Sequence, residues 1–253
     1  MNRITQKIGR FIRRYKLLMI GGLLLIVLGA YYLVSQQLWK DYQTAHETSH
    51  SHLQAQIDAV FKLPTDTSDE KQAKITALKN LAQQSKTNCQ VGLLIGWQSG
   101  IIPPLKDQKT SCEDRATKDQ ALKESLNKVA AYLENEQTLM KTMTSANLPA
   151  EVDESTIESQ VSQWQGILAQ VKGISVQPDF EPVKQIAITS VATIVAAWQA
   201  LHEANHVADQ TAYEAARTKL TESYDQLAAI APAGQKQLTT LIDLVRSAYT
   251  ASF

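Results

Sequence analysis

The chain is short of aromatic residues, which make up 6% of its 253 positions, and it holds only two cysteines. No stretch shows the period-2 alternation of a half-buried strand. Few aromatics and β-branched runs beside plentiful Ala, Gln, Thr, Lys and Leu are a helix-forming composition. The first sixteen residues contain no Asp or Glu. No glycine-rich loop is followed by the Lys-Ser/Thr that cradles phosphate, and no nucleophile–base set stands out, so the usual nucleotide and acyl-transfer signatures are absent.

One long uncharged run organises the rest. Leu17 to Val34 reads LLMIGGLLLIVLGAYYLV. At about 1.5 Å of rise per residue, a helix of that length roughly matches the ~30 Å hydrocarbon core of a bilayer. Arg3, Lys7, Arg10, Arg13, Arg14 and Lys16 precede it. A short basic flank stays in the cytoplasm, so residues 1–16 are assigned inside and 35–253 outside. Tyr15, Tyr31, Tyr32 and Trp39 stand near the two interfaces, where half-polar rings are favoured. A cleaved signal would have a shorter apolar core and a small-x-small end. Here bulky Tyr31, Tyr32, Leu33 and Val34 close the run, which favours an uncleaved anchor.

With six basic residues before the anchor, the part after Val34 carries an excess of six acidic charges. Nucleic-acid binding requires a basic footprint and is therefore not expected. The 219 residues from Ser35 are enough for one core or two small ones. On the outer side, Cys89 and Cys112 are expected to form a disulfide, which contributes about 3 kcal/mol in the chain-entropy model.

Apolar residues at threes and fours predict a series of helices. The anchor helix is predicted to continue to about Lys62, with Trp39, Tyr42, His46, Leu53, Ile57 and Val60 on one stripe. Pro64 ends it, and a second helix follows from about Ser68 to Lys86. The loop between the cysteines contains VGLLIGWQSGIIPPL, with Gly92, Gly96 and Gly100 spaced by four and Pro103–Pro104 stopping the apolar run. It suits either a buried plug at one end of a bundle or an exposed docking loop. A third helix is predicted over 113–145, with Leu122, Leu126, Val129, Leu133, Met140 and Met143 inside. A fourth starts near Ser155 through a Ser155/Glu158 capping box. A fifth opens near Glu181 and continues or bends near Asp209. After Pro232 and Gly234, a last helix runs from Gln235 to Tyr249. The predicted fold class is all-α, a single transmembrane helix followed by an extracytoplasmic antiparallel bundle.

The five histidines are grouped: His46, His50 and His52 in HETSHSH, His202 and His206 in HEANH. Both stretches read H-E-x-x-H. Histidines four apart share a helix face and can bind one metal together. HEANH resembles the zinc-binding helix of zincin metallopeptidases. That resemblance implies His202 and His206 as zinc ligands and Glu203 as general base. Positions 207–212 read VADQTA, without the glycine and third histidine of the metzincin pattern. Glu47-x-x-His50 and Glu203-x-x-His206 are also similar to the paired Glu-x-x-His motifs of ferritin-like di-metal bundles. By that likeness His46, His50, His202 and His206 would hold zinc or another transition metal, with Glu124, Glu134 or Glu158 adding carboxylates. The alternative is that these histidines are ordinary hydrogen-bonded members of helix stripes.

Three function classes follow. The leading expectation is a non-enzymatic binding or scaffold component of the cell envelope, held in lipid by 17–34 and meeting a protein partner outside. The second is a metal-binding or metal-dependent protein. The third is a sensor ectodomain signalling through a membrane partner.

Overall fold

The structure is a computed structural model that describes residues 2–84, 103–145 and 154–251. All regular structure among the described residues is helical: α1 (Asn2–Phe61), α2 (Ser68–Gln84), α3 (Pro103–Met143), α4 (Glu154–Gly173), a 3-10 turn (Pro178–Phe180), α5 (Glu181–His206), α6 (Gln210–Leu227) and α7 (Ile230–Ala251). The chain divides into two compact units. One comprises Met1–Gln54 with Thr87–Thr117, the other Ala55–Lys86 with Lys118–Phe253.

In the first unit, α1 carries one helix near the N-terminus that is long and apolar enough to cross a membrane, found over Ile20–Asp41. Its side chains point outward: Leu23, Leu25, Ile26 and Leu33 are 67–71% exposed. One turn past Val34 the character changes. Ser35 and Trp39 are buried on α1, and Gln108 and Cys112 are buried on α3. The Arg115 guanidinium lies 5.9 Å from the centre of the Trp39 ring, a cation–π distance. Cys112 is not a free thiol. Cys89 and the glycine-spaced loop lie outside the described residues.

The second unit has a core built from the predicted stripes. On α3, Leu122, Leu126, Val129 and Leu133 are fully buried, as are Leu78 on α2 and Val191 and Ile194 on α5. Trp164 of α4, Trp198 of α5, Tyr132 of α3 and Phe180 of the 3-10 turn are its largest members. Helix α5 is central, packing on both α4 and α6. Its apolar surface explains this position: ten of its residues are buried. Met140, predicted inside, is 43% exposed, because the buried face of α3 passes through Leu139 instead.

Several boundaries differ from expectation for local reasons. Pro103 and Pro104 open α3 rather than stopping a helix, since the first helical turn needs no N–H donors from within. Pro232 is likewise accommodated in the first turn of α7, so that helix starts at Ile230 rather than Gln235. The helix expected near Ser155 begins at Glu154, as α4. A reciprocal capping box occurs at α2. The Glu70 N–H donates to Thr67 Oγ1 at 3.2 Å, and the Thr67 N–H to Glu70 Oε2 at 3.0 Å. Helix α5 does not run on past Asp209. Ala208 adopts φ 53°, and the N–H groups of Ala208 and Asp209 donate to the carbonyls of Asn205 and Ala204, a Schellman closure. Asp209 then caps α6 by accepting from the Ala212 N–H at 3.0 Å.

Buried polar groups tie the helix ends. Lys74, 6% exposed, donates from Nζ to the carbonyls of Phe61 (3.0 Å) and Leu63 (3.1 Å), satisfying the C-terminal end of α1. Burial lowers the pKa of its ammonium. Lys184 does the same for the chain leaving α4, donating to the Ile174 carbonyl at 2.7 Å.

Candidate functional site

The last turns of α5 present the histidine pair. Four residues apart, His202 and His206 share a face, and their rings stack in parallel with centroids 6.5 Å apart and planes 1° from parallel. Glu158 of α4 reaches this face, with Oε1 3.5 Å from His202 Nε2. The pair is open to solvent: the side chains of His202 and Glu158 are 42% and 68% exposed. At that exposure an ion pair contributes little to stability.

Glu203 does not join them. It lines a groove of about 400 Å³ between α5 and α6 with Ala200, Ala204, Val207, Ala212, Ala215, Ala216 and Lys219. Of the other carboxylates the ferritin-like likeness invokes, Glu134 pairs with Lys79 and Glu124 accepts from Gln120 Nε2 at 2.8 Å. Glu158 alone among the three meets a histidine among the described residues. No three His, Cys, Asp or Glu side chains among the described residues form a set that could hold a metal ion. The residues present around His202 therefore do not fit a zinc centre as they stand, and no hydrolytic step is derived from them. His46 and His50 belong to the first unit and their side chains lie outside the described residues; His202 and His206 belong to the second.

One turn before the pair, Trp198 is buried and its indole N–H donates to Tyr224 Oη at 3.0 Å. Trp164 meets the Tyr224 ring edge-on at 5.7 Å. Burial raises the Tyr224 pKa, opposed by the indole hydrogen bond. This aromatic cluster fixes α4, α5 and α6 beneath the histidines. Its tryptophans stand on predicted stripes, but the tyrosine partner is 26 residues further along and carried no local signal.

A second concavity, about 850 Å³, opens beside the α1–α2 turn. Thr65, Asp66, Thr67, Ser68 and Lys71 face Gln137–Thr144 across it. Its polar groups are largely engaged. The Thr138, Thr142 and Thr144 hydroxyls donate to carbonyls of their own helix, and Lys71 pairs with Glu136 at 2.8 Å.

No protein-family model matches the chain, and no match is found among curated proteins or among solved structures.

Proposed function

We propose that this chain is a single-pass membrane protein whose helical part after the anchor lies outside the cytoplasm as an antiparallel bundle, and that it works by binding other envelope components rather than by chemistry. The observation that carries the reading is a reversal along α1. Side chains of the apolar run are up to 71% exposed, whereas Trp39 and Ile57, further along α1, are buried. Nine bare leucines, isoleucines and valines between Ile20 and Val34 would aggregate in water; in hydrocarbon they are solvated. The basic flank before Leu17 supports the orientation. In this reading lipid is met through 17–34, and a Cys89–Cys112 disulfide staples the loop 89–112 in an oxidising compartment.

In-cell photo-crosslinking tests the partner. Probes placed at exposed positions of the bundle, such as Glu203 and Leu244, are expected to capture the same defined envelope protein in repeated experiments. A chain that stays monomeric and uncrosslinked at every probe position contradicts the binding role.

A further inference from the structure

The segment before the anchor is part of helix α1 from Asn2 onward, and its sequence sorts into two faces. At about 100° per residue, Ile4, Ile8, Phe11, Ile12 and Tyr15 fall within one arc of about 100°. Arg3, Lys7, Arg10, Arg13 and Arg14 fall within an opposite arc of about 120°. Gln6 shares the cationic arc, Thr5, Lys16, Gly9 and Asn2 fill the gap between the two arcs, and no carboxylate interrupts either face. The division stops at Lys16; from Leu17 the helix is apolar on every side.

A helix apolar all round suits hydrocarbon, whereas one divided between apolar and cationic faces suits the boundary between hydrocarbon and anionic headgroups. We propose that residues 2–16 act as an interfacial helix on the inner leaflet, with α1 bending near Lys16 when the chain is in a membrane. Ile4, Ile8, Phe11, Ile12 and Tyr15 enter the acyl region, and the five cations meet anionic phospholipid headgroups. Two observations select lipid over another protein. The cationic face holds five positive charges and no carboxylate, which is the charge complement of an anionic surface. The segment is also covalently continuous with the membrane span, so it stands at that surface already. This inference rests on the membrane reading above and on its orientation; it adds a second, composition-sensitive contact with lipid.

The test uses the full chain in nanodiscs containing acyl-brominated lipid, either wholly zwitterionic or with an anionic phosphatidylglycerol fraction. The variant Phe11→Trp is read as a difference from the parent chain. A separate variant, Leu25→Trp in the exposed apolar run, read the same way in both lipids, reports that the span is inserted. The added tryptophan is expected to be blue-shifted and quenched in anionic discs, with loss of that quenching in zwitterionic discs, in high salt, or in an Arg10→Gln/Arg13→Gln/Arg14→Gln background. An inserted chain whose added tryptophan stays water-exposed in both lipids overturns the inference and leaves the anchor intact. Equal quenching in both lipids overturns the requirement for anionic headgroups. A blue shift that depends on two chains sharing one disc assigns the face to a second copy and likewise overturns it. Absence of quenching at Leu25→Trp contradicts the anchor itself.

Discussion

Tyr132 Oη donates a 2.8 Å hydrogen bond to the carbonyl of Gly234, 102 residues away, across the buried contact between α3 and α7. The ring meets Phe180 edge-on at 4.9 Å, so one side chain joins α3, α7 and the turn before α5. Tyr132→Phe keeps the ring and deletes the donor. It is expected to lower unfolding stability by about 1 kcal/mol, the typical net value of such a bond, measured by urea denaturation of the part after the anchor. Tyr132→Ala also loses the ring contacts and is expected to cost about 3–5 kcal/mol. Equal stability of Tyr132→Phe and the parent would mean the bond contributes nothing.

The same tyrosine predicts how the protein responds to alkali. Burial, and secondarily the nearby Glu136 charge, raises the Tyr132 pKa above its ordinary value of 10.0. Tyr224 is raised by burial, and Tyr249 by burial and then by Asp58. In the unfolded chain these phenols lose protons near pH 10 while the folded chain retains them. Stability from this source is therefore fully present below about pH 10 and is lost as pH rises above it. Lys74 has the opposite sign: lowered in the fold, it adds stability as pH climbs from its folded pKa toward 10.5. One lysine against three tyrosines leaves a net fall above pH 10. Denaturation midpoints from pH 8 to 11 check this, and Tyr132→Phe is expected to flatten the decline.

Ala208 holds the left-handed conformation at the end of α5, with φ 53°. A Cβ there costs roughly 1 kcal/mol that glycine avoids. Ala208→Gly is expected to raise stability, by up to about 1 kcal/mol after the extra chain entropy of glycine is deducted. A scan of melting temperature decides it. A lower melting temperature would indicate that the turn between α5 and α6 is not held in this geometry.

His202 and Glu158 make an exposed pair, so His202→Ala is expected to change stability by less than about 0.5 kcal/mol. Added zinc followed by chelator is expected to leave the melting temperature unchanged. A stabilisation by zinc that His202→Ala abolishes would restore a metal role for this face.

The all-helical class and most of the core were legible because burial repeats at helical spacing: Leu122, Leu126, Val129 and Leu133 lie on one stripe and are all buried. Boundaries were less legible where a residue type has two meanings. Proline ends helices and also opens them, so Pro103 and Pro232 were assigned to breaks when each stands in a first turn. The Thr67–Glu70 capping box lay in a stretch read as a polar turn. Nothing in the sequence marks Lys74 for burial, since only the arrival of the end of α1 gives its ammonium two carbonyls. At the candidate site, the spacing of His202 and His206 fixed their shared face. Which carboxylate would stand opposite is a matter of how α4 packs on α5, and no local pattern encodes that choice.

The central claim is that the helix through Leu17–Val34 crosses a membrane and leaves the rest outside the cytoplasm. A dual reporter fused after Phe253, active as alkaline phosphatase only outside and as β-galactosidase only inside, reads this most directly. The account predicts phosphatase activity in a membrane fraction that resists carbonate extraction. Galactosidase activity, or release of the chain into the soluble fraction, would contradict it.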